Sequence, residues 1–146
     1  RKVRGNSYSE DLVNGDAVAV IGWSGDMFIL KSENDGKFDF AIPESGGMLW
    51  SDNMLIPSTS THKKNAETLM NYYYEPAVAA QVAAYVNYIC PVDAAQPELE
   101  KINPDLSASP FIFPDEATLA KVKVFRPLTP DEQTLFQTAF DEAIGN

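Results

Sequence analysis

The sequence predicts an α/β chain, on three observations. Two apolar runs of strand type lie in the first half, Ala17 to Trp23 (AVAVIGW) and Gly46 to Pro57 (GGMLWSDNMLIP). Apolar residues at helical spacing follow, at Ala66, Leu69, Met70 and Tyr73 and again at Leu135, Phe136, Ala139, Phe140 and Ile144. The composition, 45% hydrophobic and 22% charged over 146 residues, suits a globular unit with enough core to fold unaided. No apolar run reaches the ~18 residues that a membrane-crossing helix needs.

In chain order, Ser7 with Glu10 fits a capping box that opens a short helix over Glu10–Asn14, closed by Gly15. Ala17 to Trp23 is apolar on both parities, which predicts a buried, parallel strand. Gly22 and Gly25 flank Trp23, so the backbone is expected to turn sharply there and expose the ring. Asp26 is placed to open a helix over Met27–Glu33, as its N-cap or as a first-turn acid. Asn34-Asp35-Gly36 marks a turn, and Lys37 to Ile42 (KFDFAI) a second strand, stopped by Pro43.

Beyond Pro57 a Ser/Thr-rich linker leads into a helix over about His62–Tyr74. Pro76 sits at the start of the next helix, Ala77–Val86, whose alanines predict close packing. Tyr88 then stands in a loop, free of the helical pattern. Residues 92–114 carry apolar anchors among Pro, Asp and Asn, which predicts short helices over the surface. Asp115-Glu116 begins a helix to about Lys123. Thr129-Pro130-Asp131-Glu132 combines an N-cap, proline at N1 and glutamate at N3. The stripe Leu135 to Ile144 on that last helix is expected to be core, with Gly145 as its stop.

Charge and residue inventory narrow the function. Eleven basic against 21 acidic residues give a net charge of −10. Such a surface repels nucleic acid and anionic membrane, attracts cations, and also serves solubility. Cys90, the only cysteine, excludes an internal disulfide and a Cys-based zinc site. His62, the only histidine, lies in a polar stretch away from any nucleophile motif, so Cys90 reads as structural. No phosphate-cradling loop, HExxH or nucleophile elbow is present. These absences predict no enzyme, no cofactor and no metal.

The segment Gly46 to Pro57 is where chemistry concentrates. On a strand, Trp50 and Asp52 share a parity and point to the same side. An aromatic face beside a carboxylate is what an alkylammonium ligand needs, cation–π attraction for the charge and a charge-assisted hydrogen bond for its N–H groups. The same residues also fit a buried strand, with Trp50 in the core and Asp52 capping a turn.

The order GDAVAVIGWSGD, then GGMLWSDNMLIP, then HKKNAETLMNYYYEPAVAAQVAAYVNYICP resembles the C-terminal part of bacterial polyamine-binding proteins. These are the spermidine/putrescine substrate-binding components of ABC importers. The resemblance implies a fragment of a two-lobed, type II periplasmic-binding-protein-like clamshell, a sheet flanked by helices. Residues 1–50 and 100–146 would be parts of one lobe and 53–96 part of the other, with crossings near 50–53 and 96–100. By the same resemblance Trp23 and Trp50 are aromatic walls and Asp52 takes an ammonium group. Tyr88 closes the cleft from the second lobe, and Asp26 matches the acid of the putrescine-binding Trp-x-Gly-Asp.

Phe125-Arg126-Pro127 departs from members that place a ligand-contacting glutamine there. The implied partners are a polyamine and an ABC permease, and the implied location is extracytoplasmic. The family chain is longer, so a fragment with one side of the cleft is expected, open to dimerisation by exchange of residues 53–96. The alternatives are a receptor for another small solute, or a fragment without binding activity in which Trp23 and Trp50 are core.

Overall fold

A computed structural model describes residues 3–145. Arg1, Lys2 and Asn146, which the lobe assignment takes in, lie outside the described residues. Eight α-helices, a short 3-10 helix at Asp93–Ala95 and a small parallel sheet occur among the described residues, so the α/β class stands. They are α1 (Tyr8–Asn14), α2 (Ser24–Glu33), β1 (Gly47–Leu49), α3 (Lys63–Tyr73), α4 (Pro76–Val86), α5 (Gln96–Ile102), α6 (Pro104–Ser107), α7 (Glu116–Leu119), β2 (Val122–Val124) and α8 (Pro130–Ile144). β1 and β2 run parallel, with Gly47 opposite Val122 and Leu49 opposite Val124. A long crossover separates them, as parallel pairing demands.

The helix boundaries follow local chemistry. Gly15 adopts the left-handed conformation that ends α1, and Pro76 occupies the first turn of α4. At α8 the full capping box forms: the Thr129 hydroxyl accepts from the Glu132 amide while the Glu132 carboxylate accepts from the Thr129 amide. Ser7 makes no such cap, and α1 starts at Tyr8, two residues before the expected Glu10. The reason is burial: Tyr8 and Leu12, four apart on one face, are both drawn into the core.

Two apolar clusters result. One joins Tyr8 and Leu12 to Met27 and Leu30 of α2, with Ala17, Val20, Phe38 and Phe40 packed against it. The other gathers Ala79, Ala80 and Ala83 of α4 with Cys90, Ala95, Leu99 and Ile112. Phe111 bridges the two regions, its ring 5.9 Å from Phe28 and 5.2 Å from Phe40. The alanines of α4 allow the close packing that the sequence predicts, here against Leu99 of α5. Cys90 is buried, and burial raises its thiol pKa, which fits a structural cysteine rather than a nucleophile.

Several expectations fail for a shared physical reason. Neither Ala17 to Trp23 nor Lys37 to Ile42 forms a strand. Ala17, Val20, Phe38 and Phe40 point inward, but Val18 and Ile21 are fully exposed, at 101% and 102% of their reference area. A strand exists only with a hydrogen-bonding neighbour, and these segments have none among the described residues. The pivotal segment likewise keeps only Gly47–Leu49 as strand. Its partner Val122–Val124 replaces the end of the helix expected to reach Lys123, which stops at Leu119. The stripe on α8 is not core: Leu135 is 67% and Phe136 59% exposed, because no described element packs extensively on that helix.

Candidate functional site

The five residues expected to contact a ligand converge. Trp23, Asp26, Trp50, Asp52 and Tyr88, with Asn6, line one open groove of about 400 Å³. That size falls within the ~300–1,000 Å³ usual for small-molecule sites. Trp23 precedes α2, Asp26 stands in its first turn, Trp50 and Asp52 follow β1, and Tyr88 follows α4. The ends of three elements, α2, β1 and α4, therefore meet at one spot. A second depression, on α8 between Pro130 and Thr138, is lined only by uncharged residues and offers nothing to hold a cation.

The aromatic rings form a chain of edge-to-face contacts. Trp23 and Trp50 lie 5.5 Å apart at 73°, and Trp50 and Tyr88 5.7 Å apart at 67°. The indoles thus meet as a corner, not as parallel walls with a gap between them. Both stay accessible, Trp23 at 45% and Trp50 at 40% exposure, so neither is a core residue. Trp50 and Asp52 share the groove although the strand that would have aligned them ends at Leu49.

Glycines place two of the rings, and not by turning the backbone. Neither Gly22 nor Gly25 has a positive φ. A Cβ on Gly22 would sit 2.7 Å from the Tyr8 ring, and one on Gly25 would sit 2.6 Å from Tyr88 Cζ. Each glycine exists to let a tyrosine approach. Gly25→Ala should therefore push Tyr88 aside while leaving α2 intact, since alanine favours a helix. The expected loss of ligand affinity is several-fold, the range that ~0.5–1.5 kcal/mol of aromatic contact implies. Titration beside a thermal melt checks this; unchanged affinity would remove Tyr88 from the site.

Asp26 serves as the first-turn acid, while the N-cap position is Trp23. Tyr8 Oη donates to Asp26 Oδ2 and accepts from the Trp23 amide at 3.0 Å. Burial, and then the bond to Asp26, pushes the Tyr8 pKa up to about 12, so it stays a neutral donor at ordinary pH. Burial and the charge of Asp26 also raise Tyr88. Among the described residues, two carboxylates and no basic side chain line the groove.

Arg126 is not among the lining residues: it is held by Glu132 in a two-pronged ion pair, with nitrogen–oxygen distances of 3.0 and 2.6 Å. The arginine lowers the Glu132 pKa to about 2. No group of metal-ligating side chains is found among the described residues.

Sequence reasoning missed Tyr8 and Asn6. The signal for Tyr8 was its i, i+4 pairing with Leu12 at the head of a helix; Asn6 gave none.

Comparison with known proteins places the chain in a family. The family model described as bacterial extracellular solute-binding protein matches residues 2–122. The putrescine-binding periplasmic protein PotF of Escherichia coli (strain K12) is 28% identical over 135 residues, 89% of this chain and 36% of its own. The spermidine/putrescine-binding periplasmic protein of the same organism is 30% identical over 114 residues, 78% of this chain and 30% of its own. The putrescine/agmatine-binding protein of Pseudomonas aeruginosa is 28% identical over 115 residues, 75% and 30% respectively. The chain spans about a third of the length of these relatives. A helical fold with a small parallel sheet is consistent with part of that family's α/β architecture. The chain belongs to the bacterial extracellular solute-binding proteins.

Proposed function

We propose that the chain supplies one side of an inter-lobe cleft that captures a polyamine, putrescine or spermidine, for an ABC importer. The observation that carries this is the meeting of Asp26 and Asp52 with Trp23, Trp50 and Tyr88 in one groove, with no basic residue lining it among those described. The relatives named for putrescine and spermidine support the ligand class. In this reading Asp26 and Asp52 accept from ammonium groups. The corner of indoles lies along the methylene chain and attracts the flanking charges, at about 0.5–2 kcal/mol per cation–π contact. No bond is made or broken, so the activity is capture and not catalysis.

Residues 1–50 and 100–146 belong to one lobe and 53–96 to the other, joined near 50–53 and 96–100. The ligand passes to a membrane permease from the extracytoplasmic side. No helix among the described residues is long and apolar enough to cross a membrane.

A second reading has its own support. The exposed apolar stripe of α8 and the exposed Val18 and Ile21, in a segment without a strand partner among the described residues, favour a chain that binds weakly or not at all until more protein covers these faces. Titration calorimetry with putrescine and spermidine, on this chain and on a form extended to the relatives' full length, tests both. Binding by the extended form is expected, with weaker binding by the chain alone. Binding by neither would overturn the polyamine reading.

A further inference from the structure

We infer that Tyr8 is a positioning residue of the groove: its hydroxyl, held between the Trp23 amide and the Asp26 carboxylate, fixes how Asp26 meets an ammonium ligand. The inference rests on the polyamine reading above and deepens it.

Tyr8 is only 6% exposed and lies at the head of α1, far from Trp23 and Asp26 in sequence. A tyrosine hydroxyl has one hydrogen to give and lone pairs to receive with. Here the hydrogen goes to Asp26 Oδ2, and a lone pair takes the Trp23 N–H at 3.0 Å. One oxygen of the carboxylate is thereby tied, and the group cannot rotate freely. Its other oxygen is left for a ligand. The bond from the Trp23 amide holds the hydroxyl itself in place, so its hydrogen stays aimed at the acid.

The ring reaches that position only because Gly22 has no side chain: a Cβ there would stand 2.7 Å from Tyr8 Cε2. Leu12, one turn on, packs in the same cluster and holds the helix that carries Tyr8. Tyr8 itself is not among the residues lining the groove, so it acts through the carboxylate of Asp26 and not on the ligand.

The competing role is purely structural, with Tyr8 satisfying the start of α2 and nothing more. A double-mutant cycle separates the two, because coupling appears only if Tyr8 acts through Asp26. Tyr8→Phe, Asp26→Ala and the pair are titrated with putrescine by calorimetry, in the chain extended to full length. Tyr8→Phe is expected to weaken binding about three- to tenfold, a size typical of coupled contacts. In the Asp26→Ala background the same change should cost less than about twofold.

Gly22→Ala gives a second route, displacing the ring while keeping the hydroxyl. It should weaken putrescine with Asp26 present and have little effect with Asp26→Ala. Equal losses in both backgrounds, or no loss in either, would overturn the inference and leave the polyamine reading standing. Failure of the unsubstituted protein to bind putrescine would remove that reading, and this inference with it.

Discussion

Asp52→Asn, in the chain extended to its relatives' full length, is expected to lower affinity for the proposed polyamine about tenfold or more and to leave the fold intact, the effect of losing one hydrogen bond to a charged group, roughly 1.5–3 kcal/mol. Asp52 is exposed and follows the end of β1. None of the ion pairs among the described residues involves it. Its charge is therefore uncommitted, and nothing in the packing depends on it. Asparagine keeps the shape and an acceptor oxygen but removes the charge, so the change isolates the electrostatic part.

Because the site is open, salt should weaken binding to the unsubstituted protein more than binding to the variant. Calorimetry at low and moderate ionic strength, with a melt as control, reads both effects. Unchanged affinity would make Asp52 a surface residue and leave Asp26 as the only acid at the site.

Leu99→Ala is the substitution with the largest expected cost to stability, about 2–5 kcal/mol for a fully buried leucine cut to alanine. Leu99 is 0% exposed and sits in α5 among Ala79, Ala80, Ala83, Ala95, Cys90 and Ile112. Those neighbours are mostly small, so they collapse poorly into the space left behind. The same cluster carries the loop that presents Tyr88: the Cys90 amide donates to the Ile112 carbonyl at 2.9 Å, two residues past the tyrosine. The variant should lose stability throughout α4 and α5 and hold Tyr88 less firmly. The urea midpoint should fall with the slope unchanged. A loss below about 1 kcal/mol would mean that this cluster is not the core it resembles.

What the sequence made legible was what depends on neighbours along the chain. Gly15 as a stop, Pro76 at a first turn and Thr129 with Glu132 as a capping box all occur as read. Each involves groups within a few residues of one another. The strands failed where pairing is non-local: Ala17 to Trp23 has strand composition, yet no local signal tells whether a partner exists. Val122–Val124 was hidden for the same reason, since its partner β1 lies far back in the sequence. The α8 stripe is real as a pattern, but a pattern cannot say what covers it.

The groove divides in the same way. Trp50 and Asp52 were legible from their spacing, and Trp23, Asp26 and Tyr88 from resemblance to a family. Tyr8 was not, because its role lies in two hydrogen bonds to residues 15 and 18 positions away. Gly22 and Gly25 read locally as turn formers, whereas in the fold they admit rings from distant positions.

The most direct test is a calorimetric comparison of putrescine with butane-1,4-diol, which has the same four-carbon chain and no charge. It is made on the chain extended to the length of its relatives. If two carboxylates and an aromatic corner recognise a dication, putrescine binds with a Kd of about micromolar order, and the diol gives no measurable heat. Absence of putrescine binding, or a diol that binds as well, would contradict cation capture at this groove.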